Sequence, residues 1–333
     1  MAAVVAKKSP PRRTFVGDEL LLRLKFFASR RTYGVPQVVD GRLDLDVGLT
    51  DEHLDEVVPF AGSDRYHDVI NGLDVTCVAI HRDGAARAVA LARRGSRWVA
   101  TVDVAGVAEV RAAASGAHLR ALDVLPTALE VGEATAAVRD VALGGLRLRV
   151  AEVYGFGVSR FVWNGGVVLA AYLGDAKRRR GLAGRSLVDL GSGTGVVALA
   201  AATLSAEGVA TDRGDALAGL ADLATRAPGV AVEALDFGDA PGPLVAAAAP
   251  TIACAADVLY PGYDFDVVPL LWRTLAALPS VDEFYLAFSH RDENSTPVTQ
   301  LLMDCLRPQF PTISVCYRVE NLVGHHSVIR FKK

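Results

Sequence analysis

The sequence predicts an α/β protein in which a doubly wound, mostly parallel sheet follows a smaller β-rich N-terminal region. Two observations support this prediction. From Trp163 onward, short apolar runs typical of buried strands alternate with Ala- and Leu-rich helical segments. Between about Asp74 and Val153, short β-like runs are instead separated by Gly and charged turns. We therefore predict an accessory region over residues 1–135 and an α/β domain over residues 136–333.

Two hairpins are predicted in the accessory region, because Gly-containing pairs between β-like runs are typical of hairpin turns. The runs are Arg87–Arg93 with Arg97–Val104 around Gly95-Ser96, and Asp140–Leu143 with Leu146–Val153 around Gly144-Gly145. The stretch over residues 18–70 is harder to interpret. Within it, Leu20–Phe27 and Asp51–Val58 are predicted as short helices.

The α/β domain is predicted to alternate strands with helices. The predicted elements are a helix over Gly165–Leu173, a strand over Ser186–Leu190, a helix to about Ala206, a strand over Gly208–Thr211, a helix over Ala216–Thr225, strands over Val230–Leu235 and Thr251–Ala255, a helix over Val267–Ala277, a strand over Glu283–Phe288, a helix over Pro297–Leu306, and strands over Thr312–Val319 and Ser327–Phe331. A short loop joins the last two strands, which predicts an antiparallel pair. Ligands of such sheets bind at the carboxyl ends of the parallel strands.

Composition and charge narrow the function classes. The net charge of −3 and the pI of about 6.2 argue against a nucleic-acid-binding surface, which needs clustered Lys and Arg. The four cysteines have no CxxC spacing, so we predict neither a zinc site nor a disulfide framework. No apolar run is long enough to cross a bilayer. We expect a cytoplasmic monomer with no membrane partner, and mitochondrial or nuclear targeting stays open because residues 1–16 are basic.

A Gly-rich turn separates the first predicted strand of the domain from the next helix, in the segment Asp189–Gly195 (DLGSGTG). Glycines let the backbone turn sharply and approach a ligand closely, and the following helix points free N–H groups at that ligand. A dinucleotide fold requires GxGxxG, whereas here Val196 stands where the third Gly would fall. The carboxylate of Asp189 would repel a pyrophosphate and suits the ammonium of a methionine moiety. The pattern therefore favours S-adenosylmethionine over a dinucleotide.

Acidic residues also follow the next two predicted strands. Asp212 lies where an acidic residue accepts hydrogen bonds from ribose hydroxyls. This role is common to S-adenosylmethionine and dinucleotide sites and does not distinguish them. Asp236 and Phe237 end the third strand, where a carboxylate can accept from an adenine amino group and a ring can lie on the base. The predicted cofactor-binding residues are Trp163, Asp189, Gly191, Ser192, Gly193, Gly195, Asp212, Asp236 and Phe237.

At these positions the sequence resembles the seven-β-strand methyltransferases, and more narrowly the family 16 branch with its many protein-lysine methyltransferases. The resemblance rests on Phe161–Leu169 (FVWNGGVVL), Val188–Gly195 (VDLGSGTG), Leu235–Phe237 (LDF) and Asp257–Tyr260 (DVLY). It covers roughly Asp140 to the C-terminus. The aromatic residue of the LDF segment is usually Trp in the family, and the resemblance does not extend to residues 1–135.

The resemblance implies a seven-stranded Rossmann-like sheet, S-adenosylmethionine as cofactor, no metal, and a lysine of a protein substrate as methyl acceptor. In this interpretation Asp257 orients the lysine amine and Tyr260 offers its hydroxyl or its ring face. Trp163 is predicted to cover the cofactor. Ser289, His290 and Arg291 follow the fifth strand of the domain and could line the substrate channel.

Other acceptors and one non-catalytic function remain open from the sequence. Methylation of a nucleic-acid base typically uses N/D-P-P-Y/F at this strand end, whereas Val258 and Leu259 replace the two prolines here. A protein histidine or a small molecule is harder to exclude as acceptor. A cofactor-binding scaffold without activity is the remaining alternative. The presence of all the expected site residues argues against it, namely Gly191, Gly193, Asp212 and Asp257.

Overall fold

The computed structural model describes residues 22–26, 37–50, 73–94, 97–115, 124–125, 127–131, 136–143, 146–152, 158–175, 181–204, 206–214, 216–227, 229–259, 266–290, 295–321 and 324–333. These residues form two compact units. The β-rich unit lies within Val16–Ala142 and Arg147–Phe161, and the α/β unit lies within Leu143–Leu146 and Val162–Lys333.

The β-rich unit contains a five-stranded and a six-stranded sheet, in the orders β5-β6-β2-β1-β8 and β11-β10-β9-β7-β3-β4. Its strands are β1 (Leu22–Phe26), β2 (Arg42–Thr50), β3 (Asp74–His81), β4 (Ala86–Val89), β5 (Ala92–Arg94), β6 (Arg97–Asp103), β7 (Val107–Ser115), β8 (Val124–Leu125), β9 (Thr127–Glu130), β10 (Ala136–Leu143) and β11 (Leu146–Glu152). Strands with one buried face alternate in burial along the chain. In β3, for example, Val75, Cys77 and Ala79 are buried while Asp74 and Thr76 are exposed.

A charged pair is buried within the six-stranded sheet. Nε and Nη2 of Arg139 on β10 lie 3.1 and 2.7 Å from Oε2 of Glu152 on β11, and both side chains are 0% exposed. Two ions removed from water are tolerated only when each is paired and hydrogen-bonded. The two residues therefore depend on each other for the stability of this sheet.

The β-rich unit differs from the sequence prediction in two places. The predicted run Arg87–Arg93 is split, because β4 pairs with β3 in one sheet and β5 pairs with β6 in the other. The helix predicted over Leu20–Phe27 is wrong, since β1 pairs with β2 and β8. Leu, Arg and Lys favour helix locally, and strand pairing overrides that propensity. The helix predicted over Asp51–Val58 lies outside the described residues.

The α/β unit is built on a seven-stranded sheet in the order β14-β13-β12-β15-β16-β18-β17. Its strands are β12 (Ser186–Leu190), β13 (Glu207–Asp212), β14 (Val230–Ala234), β15 (Ile252–Ala256), β16 (Glu283–His290), β17 (Thr312–Asn321) and β18 (Gly324–Lys332). The described helices, numbered in chain order, are α1 (Asn164–Gly174), α2 (Val196–Thr203), α3 (Leu217–Arg226), α4 (Pro243–Ala248), α5 (Val267–Ala276) and α6 (Ser295–Leu306). Strands β12 to β16 run parallel, and β18 is antiparallel to both β16 and β17. The predicted seven-stranded, mostly parallel sheet is confirmed.

Two details of the fold go beyond the prediction. Helix α4 forms within the Ala-rich stretch, and the Glu233 carboxylate accepts the N–H groups of Leu244 and Val245 at its start, each at 2.9 Å. The sheet of the β-rich unit also extends past the predicted boundary at residue 135, because β10 pairs with β9 and β11 with β10. The described residues 136–142, 147–152 and 158–161 accordingly group with the β-rich unit.

The core of the α/β unit lies on both faces of its sheet. Helix α1 is buried on all sides, since the consecutive residues Val167, Val168, Leu169 and Ala170 are each fully covered. It packs on α2, β16 and β18. A second cluster, which includes Phe284, Phe288, Phe310 and Phe331, packs beneath α5 and α6. Across the described ranges, no helix has both the length and the apolar character needed to cross a membrane.

Candidate active site

The candidate site lies where the parallel strands of the α/β unit end. Strand β12 is central, β13 and β14 follow on one side of it, and β15 and β16 follow on the other. The chain order therefore reverses between β12 and β15, which is where doubly wound sheets open a ligand crevice. The Gly-rich loop after β12 begins at Gly191, at this reversal point.

The Gly-rich loop needs its glycines for conformation and for space. Gly191, Gly193 and Gly195 have φ values of 70°, 55° and 75°, which side chains disfavour. A Cβ on Gly191 would lie 2.8 Å from Val258 Cγ1 and 3.2 Å from Phe237 Cζ. The loop thus touches the residues that follow β14 and β15, and three strand ends meet around it.

Ser192 connects the loop to its neighbouring strands. Its hydroxyl donates to the Asp189 carbonyl oxygen at 2.9 Å and accepts the Thr211 N–H at 3.0 Å. Its own N–H donates to the Thr211 carbonyl oxygen at 2.8 Å. The side chain is buried against the protein, so its direct contact is with the loop and β13. A contribution of Ser192 to cofactor binding stays a prediction.

The carboxylate of Asp189 lies behind the loop and is 1% exposed. Its pKa is raised to about 7, chiefly by burial and further by the negative charge of Asp212, although hydrogen bonds from Ser192 and Ala198 act to lower it. Its Oδ2 accepts the Ala198 N–H of α2 at 3.3 Å. A cation bound across the loop would stabilise the ionised form of this carboxylate.

Asp212 ends β13 and faces the same loop. Its Oδ2 accepts the N–H of Gly193 at 2.7 Å, and its Oδ1 accepts the N–H of Arg213 at 2.8 Å. The loop is therefore held from one side by Ser192 and from the other by Asp212. The predicted grip on ribose hydroxyls is untested and stays a prediction.

Asp236 and Phe237, which follow β14, differ in how much of each side chain is exposed. Asp236 is exposed, whereas Phe237 is half-buried and packs against the core with its ring tip beside Gly191. The N–H of the next residue, Gly238, donates to the Thr274 hydroxyl at 2.8 Å and ties this turn to α5. An aromatic face next to a Gly-rich loop is a suitable surface for a planar base.

Asp257 follows β15 and is held by three hydrogen bonds. Its Oδ2 accepts the Gly165 N–H at 2.6 Å and the Ser289 hydroxyl at 3.0 Å, and its Oδ1 accepts the Ser289 N–H at 2.9 Å. Its backbone is left-handed, with φ of 51°, a conformation that Asp tolerates better than most residues. A Cβ on Gly165 would lie 2.6 Å from the carboxyl carbon of Asp257, so the glycine permits this approach.

The sequence-predicted residues are therefore distributed as follows. The Gly-rich loop itself contains the predicted glycines and Ser192, and around it lie Asp189, Asp212 and Phe237. Asp257 is next in sequence to Val258, whose side chain lies against that loop. Trp163 directly precedes α1, is partly exposed, and lies two residues before the Gly165 contact with Asp257. Tyr260 lies outside the described residues.

Sequence reasoning missed His326, which the structure connects to this site. The Nδ1 atom of His326 on β18 lies 2.9 Å from the Ser289 hydroxyl, which in turn contacts Asp257. His326 is connected to the site by the antiparallel pairing of β18 with β16, which sets Ser289 opposite His326. No local motif marks this histidine.

Comparison with known proteins places the α/β unit in a family. The family model described as lysine methyltransferase, Methyltransf_16, matches residues 143–303. Similar solved structures include a 16S rRNA N2 G1207 methyltransferase from T. thermophilus, at 16% identity and a TM-score of 0.42 over 88% of this chain and 64% of that one. The chain thus spans less than two thirds of that protein.

Two further solved structures are similar over about half of the chain. One is a magnesium protoporphyrin IX methyltransferase from Synechocystis PCC 6803, at 14% identity and a TM-score of 0.38 over 50% of this chain and 76% of that one. The other is a 1,6-didemethyltoxoflavin-N1-methyltransferase from Burkholderia thailandensis, at 19% identity and a TM-score of 0.38 over 51% and 76%. Over residues 143–303, the family match, the Gly-rich loop and the strand order agree with family 16 of the S-adenosylmethionine-dependent methyltransferases.

Proposed function

We propose that this protein transfers a methyl group from S-adenosylmethionine to the side-chain amine of a lysine in a protein substrate. The observation that carries the proposal is the Asp257 carboxylate, which is restrained at the carboxyl end of β15, next in sequence to Val258, whose side chain lies against the Gly-rich loop. The family match over residues 143–303, described as lysine methyltransferase, supports the choice of acceptor.

The residues around the loop fit S-adenosylmethionine. Three glycines with positive φ allow a close ligand, and the N-terminus of α2 follows them. The charge of the buried Asp189 carboxylate, across the loop, complements the ammonium of a methionine moiety, and the Asp212 carboxylate suits ribose hydroxyls. Both charges would disfavour a pyrophosphate. The partly exposed ring of Phe237 suits an adenine. When bound, the cofactor supplies an electrophilic methyl group on a sulfonium.

The protein's part in this reaction is to position the acceptor. In-line transfer requires the lone pair of the amine to face the methyl group, and correct positioning supplies much of the acceleration. In this proposal Asp257 accepts a charge-assisted hydrogen bond from the lysine amine and turns the lone pair toward the cofactor. The donors from Gly165 and Ser289 keep that carboxylate in one orientation. Tyr260 and Trp163 are expected to line the acceptor and cofactor sides.

Calorimetric titration tests the cofactor. S-adenosylmethionine should bind the wild-type protein, and Gly193→Arg should abolish binding because it places a bulky cation at a left-handed loop position. Gly219→Arg is a matched control, since Gly219 lies on α3 and a Cβ there has open space around it. Absence of binding by the wild type, or equal binding by Gly193→Arg, contradicts the cofactor site.

A labelling experiment tests the acceptor. The protein is incubated with radiolabelled cofactor and a native cell extract, and the labelled products are treated with protease or nuclease and then hydrolysed to amino acids. We expect label lost with protease and recovered as methyl-lysine. Asp257→Asn should bind cofactor and transfer much more slowly, whereas Asp239→Asn removes an exposed carboxylate of the same unit and should behave as wild type. Label lost with nuclease, or recovered as methyl-histidine, refutes the lysine acceptor.

A further inference from the structure

A chain of hydrogen bonds joins three residues that are far apart in sequence. The His326 Nδ1 atom lies 2.9 Å from the Ser289 hydroxyl, and that hydroxyl lies 3.0 Å from Asp257 Oδ2. Ser289 and His326 are directly opposite each other on β16 and β18, and both are 2% exposed. The contacts are thus fixed by the sheet and shielded from water.

The number of protons in this chain determines which atom donates. A serine hydroxyl carries one proton, and an ionised carboxylate only accepts. When the Ser289 proton points at Asp257, the other contact needs a proton on His326 Nδ1, which then donates to the serine oxygen. A bare Nδ1 would instead take the serine proton, and two oxygens without a proton between them would face each other at 3.0 Å.

We propose that His326 is a positioning residue of the methyl transfer, acting through Ser289 on Asp257. The Nδ1–H group of His326 directs the Ser289 hydroxyl toward Asp257 Oδ2, so that this carboxylate receives the hydroxyl proton in addition to the N–H groups of Gly165 and Ser289. This inference rests on the proposed function, because the carboxylate is the group assigned to orient the acceptor amine.

The physical effect concerns the direction of the carboxylate. Asp257 has a left-handed backbone, and its side chain bridges the start of α1 and the end of β16. Without the Ser289 hydroxyl proton, Asp257 Oδ2 keeps only the Gly165 N–H of these two donors, and the hydrogen bond that links it through Ser289 to His326 is lost. Hydrogen bonds to charged groups contribute enough free energy for their loss to change a rate about tenfold to a hundredfold.

The first test needs no substrate. Long-range ¹H–¹⁵N spectra of the neutral imidazole should show His326 in the wild type as the tautomer with its proton on Nδ1. Ser289→Ala removes the acceptor of that proton and should weaken this preference. A neutral wild-type imidazole that carries its proton on Nε2 alone overturns the inference.

The second test uses two substitutions that differ in which ring nitrogen they mimic. The amide nitrogen of Asn lies near the position of Nδ1, and that of Gln near the position of Nε2. We expect His326→Gln to lower kcat by about tenfold or more, with the KM and Kd for S-adenosylmethionine unchanged, and His326→Asn to recover most of that loss. Ser289→Ala should lower kcat, and Ser289→Thr, which keeps the hydroxyl, should recover part of it.

The outcomes separate the inference from the proposed function. If the wild type transfers methyl groups to lysine while the Asn and Gln variants are equally impaired at equal thermal stability, the positioning role is refuted and the function stands. If the wild type binds cofactor and labels no acceptor in the extract, the proposed function fails, and the positioning role fails with it. Recovery in Asn and not in Gln supports the inference, because an effect on packing alone would not distinguish the two amides in this way.

Discussion

The buried carboxyl of Asp189 makes the stability of the α/β unit depend on pH in an unusual direction. Because its desolvation raises the pKa from 3.8 to about 7, the folded protein disfavours the ionised form. One pKa unit corresponds to about 1.4 kcal/mol. Above pH 7, where the carboxyl must ionise in the folded protein, this shift therefore lowers the free energy of unfolding by about 4 kcal/mol.

The sign follows from which state holds the proton. Between pH 3.8 and about 7 the folded state keeps a proton that the unfolded chain has lost, so the contribution of this group to stability falls as the pH rises. This contribution is fully lost once the pH exceeds the pKa of Asp189 in the folded protein. The variant Asp189→Asn has no such proton and lacks this slope. Its stability relative to wild type should therefore increase by about 3 kcal/mol between pH 5 and pH 8.5.

Urea denaturation of the cofactor-free protein at several pH values measures this difference. Titrating groups that do not interact with Asp189 contribute equally to both proteins and cancel in the comparison. Asp239→Asn, an exposed carboxylate of the same unit, serves as the control and should track the wild type at every pH. A constant difference between Asp189→Asn and wild type across this range would refute the reasoning.

The same carboxyl links cofactor binding to protons. A cationic cofactor across the loop should favour the ionised form of Asp189, so binding near pH 7 should release part of one proton. Calorimetry in buffers of different ionisation enthalpy measures that release. Asp189→Asn should bind without it, and an unchanged proton release in this variant would show that another group is responsible.

Three further predictions concern packing and the ligand surface. Gly195→Ala should destabilise the protein by about 2–3 kcal/mol in urea, because φ is positive there and the new Cβ would overlap Leu223; an unchanged midpoint contradicts it. Arg139→Met should lower the free energy of unfolding by about 3–5 kcal/mol, because it leaves the Glu152 charge buried. The double change Arg139→Met/Glu152→Leu should restore most of that stability, and a double variant as unstable as the single one would contradict the pairing. Phe237→Ala should weaken S-adenosylmethionine binding about tenfold in calorimetry while the fold persists, and equal affinity would place the adenine elsewhere.

Local signals in the sequence were sufficient for the elements of the α/β unit. The strand predicted over Ser186–Leu190 has the same bounds in the structure, because a short apolar run ends at a Gly-rich turn. The helix predicted over Gly165–Leu173 begins and ends within one residue of the observed α1. Both elements are determined by residues that are neighbours in sequence, where propensity and turn chemistry agree.

Local signals failed where pairing partners decide the structure. Leu22–Phe26 forms a strand because β2 and β8 supply hydrogen-bonding partners on both sides, although its composition favours helix. Helix α4 was missed because its N-terminus is capped by Glu233, a residue on another element. Neither outcome is encoded in the residues of the segment alone.

The sequence by itself determined the resemblance to family 16, the class of cofactor and the strand ends that carry the candidate residues, because glycines and acids at fixed positions after strands carry that chemistry. Only the tertiary structure decided how these groups are held. Asp189 proved to be buried behind the loop, and Asp257 is tied to Gly165 and Ser289. The contact of Ser289 with His326 depends on the register of β16 and β18. Residues 37 positions apart meet there because backbone pairing across a sheet is a non-local interaction that no sequence window contains.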